Sequence, residues 1–123
     1  MANVFGVPIT KETLKGMKEY QDKKTLTQKD RAKAAMCMKN TDGKDVSAHN
    51  FATNLVDRCG SSAATKCMIH NATGCPITLE RYKNKVGHLG ESPFPTILLN
   101  GQRDVFVHIG DRYQASSVGA LVY

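Results

Sequence analysis

Tryptophan is absent from the chain, and aromatic residues of all kinds make up only 7% of it. A base-stacking platform for nucleic acid needs aromatics interleaved with basic residues, and no such stripe occurs. No apolar run approaches the ~20 residues that a membrane-spanning helix requires, so a soluble domain is expected. The opening Met1–Pro8 has no basic start, no continuous apolar stretch and no small-residue cleavage site, unlike a secretory signal. A cytoplasmic or nuclear location is the expectation that follows. In a reducing compartment Cys37, Cys59, Cys67 and Cys75 are expected as free thiols, and their spacing matches no zinc ligand pair. The sequon Asn71-Ala72-Thr73 then reads as turn chemistry rather than a glycosylation site.

Catalytic signatures are missing too. There is no Gly-x-Ser-x-Gly, no His-Glu-x-x-His, no P-loop and no Gly-x-Gly-x-x-Gly, which excludes the commonest hydrolase, zinc-protease and nucleotide-binding chemistries. Neither a cofactor nor a metal is expected. Cys67 and His70 fall on opposite faces of one expected strand, so they cannot act as nucleophile and base. His108 approaches either of them only across a sheet.

What is present fits one domain of 123 residues with 41% hydrophobic and 23% charged side chains. Its net charge is +6, of which +4 lies in residues 1–60 and +2 in residues 61–123. Lys11, Lys15 and Lys18 recur at helical spacing, as do Lys29 and Lys33, giving solvated faces that are also the candidate polyanion-binding residues.

The half spanning 1–60 reads as three short helices. Thr10 caps Lys11 to Tyr20; Thr27 and Asp30 form a capping box ahead of a segment that breaks at Asn40 to Gly43. Ser47 opens a third, where Ala48, Phe51, Ala52 and Leu55 fall at i, i+3, i+4 and i+7 and Gly60 terminates the run. The half spanning 61–123 reads as strands: Thr65 to His70, Ile77 to Tyr82, Thr96 to Leu99, Asp104 to Ile109 and Val118 to Tyr123. Asn84 to Pro95, with two Gly and two Pro, reads as loop, and Asn100-Gly101 as a hairpin turn. Helices followed by strands predict an α+β fold with an antiparallel sheet. Within the loop, His88 between Gly87 and Gly90, together with Phe94, is the second candidate binding site.

Several segments, in order along nearly the whole chain, resemble the plant 23 kDa jasmonate-induced protein family. They are Val4 to Thr10, Leu26 to Ala32, Ala64 to Gly74, Gly87 to Gly90, Ser92 to Pro95 and Asn100-Gly101-Gln102. The resemblance implies a stress- and jasmonate-responsive plant protein connected with defence and without an enzymatic activity, and a strand-rich part forming a β-sandwich. It also implies aromatic residues near the Gly-His segment and after the Asn-Gly-Gln turn, where this chain has Val86 and Arg103. The family is longer than this chain, so the sheet is expected to be unfinished, a partial sandwich able to self-associate through an open edge at Val118 to Tyr123.

The leading expectation is therefore a non-enzymatic binding protein, with RNA or ribosomes held by weak electrostatic contacts to the lysines. The alternative is a membrane- or glycan-binding β-sandwich module using His88 and Phe94. A Cys/His enzyme built on Cys67 or His108 comes third.

Overall fold

The computed structural model describes residues 3–61, 63–111, 113 and 115–123. The chain is α+β, as its sequence predicts. After a short strand β1 (Val4–Phe5), helix α1 (Lys11–Lys15) starts at Thr10, whose hydroxyl accepts from the Thr13 amide while the Thr13 hydroxyl accepts from the Thr10 amide. Gly16 ends it. Met17 is extended at φ −93°, ψ 128°, and a 3-10 turn follows at Lys18–Tyr20. The single helix expected from Lys11 to Tyr20 is thus broken, and Lys18 leaves the face that Lys11 and Lys15 share.

Helix α2 (Gln28–Cys37) carries the expected capping box of Thr27 and Asp30. Lys23 Nζ donates to Asp30 at 2.6 Å, and this contact with the bonds from Thr27 lowers the carboxyl to about 2. Helix α3 (Lys44–Cys59) begins three residues before Ser47, because Gly43 and Gly60 take left-handed conformations at its two ends. Its stripe of Ala48, Ala52 and Leu55 is buried as the sequence predicts.

The strands are β2 (Ala64–His70), β3 (Ile77–Thr78), β4 (Arg81–Val86), β5 (His88–Leu89), β6 (Ile97–Leu98), β7 (Arg103–Ile109) and β8 (Val118–Val122). Strand β7 is the axis of the main sheet. Antiparallel β2 lies along its whole length, from Ala64 opposite Ile109 to His70 opposite Arg103. Its other edge takes β1 at Arg103 and Asp104 and β5 at His108 and Ile109. Helix α3 covers one face, where Ala48, Ala52 and Val105 pack with Phe5 and Phe51. A two-stranded ribbon of β4 and β8 lies over the other, with Asn84 of the ribbon bonded to His108 of the sheet.

Three expectations are corrected here. Asn84 to Pro95 is not all loop: β4 runs to Val86, and Gly87, at φ +86°, turns the chain into β5. A Cβ at Gly87 would lie 2.1 Å from the Ile109 carbonyl oxygen, so only glycine fits that corner. Asn100-Gly101 does form a turn, with the Gln102 amide donating to the Leu99 carbonyl at 3.0 Å, yet no hairpin results. Both edges of β7 are already occupied, so β6 pairs with β3 instead. Val118 to Tyr123 does not lack a partner: β8 pairs with β4 from Val118 to Val122 in a two-stranded ribbon.

Two buried asparagines brace the turns, and Asn100 also joins the halves. Asn100 Nδ2 donates to the carbonyls of Ile9 at 2.9 Å and Arg31 at 3.2 Å, while its Oδ1 accepts from the Gly74 amide at 2.9 Å. Asn71 Nδ2 donates to the carbonyls of Cys75 and Leu98, and its Oδ1 accepts from the amide and hydroxyl of Thr73. With Asn71 only 1% exposed, the sequon is turn chemistry as read. Asn100→Ala strips partners from buried backbone groups in three segments, each worth about 1–3 kcal/mol when left unpaired. Its denaturation midpoint in urea is expected to drop by the equivalent of about 3 kcal/mol with an unchanged slope. A loss of under ~1 kcal/mol would show that the amide is not structural.

Candidate functional site

The period-2 alternation of β2 and β7 sets Thr65 and Cys67 beside Phe106 and His108 on the sheet face away from α3. Across a gap, β4 contributes Asn84 and the chain from Ser117 to Leu121 runs opposite, and Phe94 takes one end. These residues enclose an open cavity of about 330 Å3. Its floor is aromatic. The rings of Phe94 and Phe106 lie 5.1 Å apart, edge to face, and Tyr82, outside the lining, packs on Phe94 at 4.7 Å. Three polar contacts tie the ribbon to the sheet and the segment before it: His108 Nε2 donates to Asn84 Oδ1 at 3.1 Å, the Thr65 and Ser117 hydroxyls meet at 2.7 Å, and the Tyr123 hydroxyl donates to the Pro95 carbonyl at 2.9 Å.

Among the described residues no Lys, Arg, Asp or Glu lines this cavity. Burial lowers the His108 imidazole, helped by the charge of His88, and burial raises the Cys67 thiol. Both groups are therefore uncharged at neutral pH. The structure does bring Cys67 and His108 to one cavity, but no hydrogen bond joins them, and Cys67 Sγ donates to the Thr65 carbonyl at 3.8 Å. A thiol kept protonated is a poor nucleophile. All four cysteines are free.

The two loop candidates part company. Phe94 belongs to the cavity, whereas His88 sits on edge strand β5, exposed, with its Nδ1 3.4 Å from Asp111 Oδ1. The lysines form no single surface either. Lys11 and Lys15 border a groove with Lys23 and Lys24, which sequence reasoning missed, while Lys18 sits on the 3-10 turn and Lys29 and Lys33 on α2. Asn84, Phe106 and the β8 residues were also missed as site residues. The alternation of Asp104, Phe106 and His108 was the one readable signal for them.

The family model for Nakanori-like proteins matches residues 5–123. The chain belongs to that family. It is 42% identical over 123 residues to a 23 kDa jasmonate-induced protein of Hordeum vulgare, a match that spans 99% of this chain and 58% of that protein. The expected resemblance to the jasmonate-induced family therefore holds. The crystal structure of the lipid binding protein Nakanori superposes with a TM-score of 0.90 at 34% identity, covering 98% of this chain and 59% of that one. This chain thus spans a little under three fifths of the length of either relative. The expected RNA or ribosome partner is corrected by this likeness, which is to a protein described as lipid binding. The physical reason agrees: the lysines are dispersed over separate elements.

Beside His108 and Phe106 on the same strand face, Asp104 is 1% exposed, accepting from the Val105 amide. Burial raises its carboxyl from 3.8 to about 7. The folded carboxyl holds its proton to higher pH than the unfolded one, so the native state binds the extra proton between these values and loses stability as pH rises through them. Asp104→Asn should match the wild type near pH 3, below the unfolded value, and exceed it increasingly from there to pH 8, read as denaturant midpoints. A difference independent of pH would contradict this.

Proposed function

We propose that this chain is a non-enzymatic lipid-binding module of a jasmonate- and stress-responsive plant defence protein, and that lipid enters the cavity between the main sheet and the β4–β8 ribbon. The observation that carries the reading is an aromatic-floored, uncharged cavity in a chain whose fold is that of a lipid-binding protein. A concave, mainly apolar site with a few convergent polar groups is the ordinary form of a small-molecule or lipid pocket. Neither the jasmonate-induced relative nor the lipid-binding structure bears a name that states a catalytic activity, which supports binding over turnover.

Vesicles of total plant plasma-membrane lipid should sediment the protein, and binding should persist when salt is raised, because apolar burial is not screened. Ala120→Trp places a large ring at the cavity wall and is expected to weaken retention about tenfold, or ~1.4 kcal/mol. Lys11→Gln with Lys15→Gln should leave it unchanged. Retention that collapses with salt and with the lysine changes, but survives Ala120→Trp, would overturn the cavity reading.

A further inference from the structure

From the chemistry of the cavity wall we infer that it admits an uncharged polar group of an amphiphile, a hydroxyl or amide with the adjoining carbons, and rejects charged headgroups. The inference rests on the lipid reading and names its ligand class. Its volume, about 330 Å3, lies at the low end of the ~300–1,000 Å3 of ligand pockets, room for one segment of a lipid rather than two acyl chains.

The hydrogen-bonding capacity left over decides what that segment carries. Asn84 Oδ1 is taken by His108, which leaves the Asn84 Nδ2 protons without a partner among the described residues. Of the Thr65 and Ser117 hydroxyls one donates to the other, so a single O–H remains to give. The cavity thus offers an amide N–H and a hydroxyl, both neutral, beside the rings of Phe94 and Phe106. A ligand oxygen of a hydroxyl or amide satisfies them. A carboxylate or phosphate could accept the same two bonds, but among the described lining residues it would meet no cation to offset whatever hydration it gives up, and an ammonium would meet no carboxylate. The lysines that could hold an anion lie elsewhere, around the groove of Lys11, Lys15, Lys23 and Lys24.

Calorimetric titration of the full chain with decanol, decanamide, decanoate and decyltrimethylammonium compares one carbon chain under four headgroups. Decanol and decanamide should bind at least about tenfold tighter than either charged homologue. Ala120→Lys, at an exposed position on the cavity wall, should shift the preference toward decanoate, with the thermal midpoint showing that the fold is kept. Asn84→Leu should weaken decanamide more than it weakens decane-1-thiol, which accepts hydrogen bonds poorly. Equal or tighter binding of a charged homologue overturns the inference while leaving the vesicle result intact. Absence of binding by all four also overturns it, and if vesicles fail to retain the protein as well, the lipid reading falls with it.

Discussion

The buried amide of Asn100 pins the turns of the strand half to the helical half, beside the packing of α3 on the sheet, and Asn71 braces those turns from within. The helical half has its own small core of Ile9, Leu14, Leu26, Ala34 and Ala35, and the sheet packs on α3 around Val105. Between them the chain makes tight turns whose backbone groups cannot reach water and belong to no helix or strand. Each such group must be paired or cost free energy comparable to a lost hydrogen bond. Asn100 pairs groups at Ile9, Arg31 and Gly74, and the Asn71 carbonyl accepts from the Gly101 amide at 2.7 Å while its amide donates to Gln102. Gly74 is held at φ +84° with Gln28 so close that a Cβ would lie 2.3 Å from its carbonyl oxygen, which presses the turn onto the start of α2. The register of β7, and with it everything laid on β7, is set from this junction.

This explains which parts of the fold were legible from the residues alone. Capping at Thr10 and Thr27, the 3-4 spacing in α3 and the alternation in β2 are local, and local chemistry decides them. Pairing is not local. Asn100-Gly101 carries the usual hairpin signal, but whether two flanking strands pair depends on whether an edge is free, and β7 had been claimed on both sides by β1, β2 and β5. Likewise Gly87 looked like a loop residue, when it is the corner that moves the chain from ribbon to sheet. The helix from Lys11 broke at Gly16 for a similar reason: Leu14 and Leu26 had to reach one core.

Less of the site could be read. Its residues come from positions 65 to 121, and alternation shows which side chains share a face without showing what lies opposite that face. Phe94 and His88 were picked by the same criterion, a Gly- and Pro-rich segment, and the structure sets Phe94 on the cavity wall and His88 on an edge strand beside Asp111. The lysine faces drew attention because charge is easily counted in a sequence. A cavity is defined by the charges it excludes, and that has no motif.

The weak strand β8 shows why the cavity stays open. Val118-Gly119-Ala120-Leu121-Val122 is a poor strand, since glycine in a strand interior forfeits both backbone entropy and side-chain packing. The loss is local and has a purpose in the geometry. A Cβ at Gly119 would come within 3.2 Å of His108 Nε2 and 3.4 Å of the Lys83 carbonyl, so a larger residue there would crowd the imidazole that bonds Asn84. Ala120 beside it leaves space that a Val or Leu would fill by dispersion contact. Packing alone favours larger residues at such positions. Small ones at the centre of β8 keep a hollow under the ribbon while the His108–Asn84 bond fixes its depth, so the strand gives up stability where the cavity needs room.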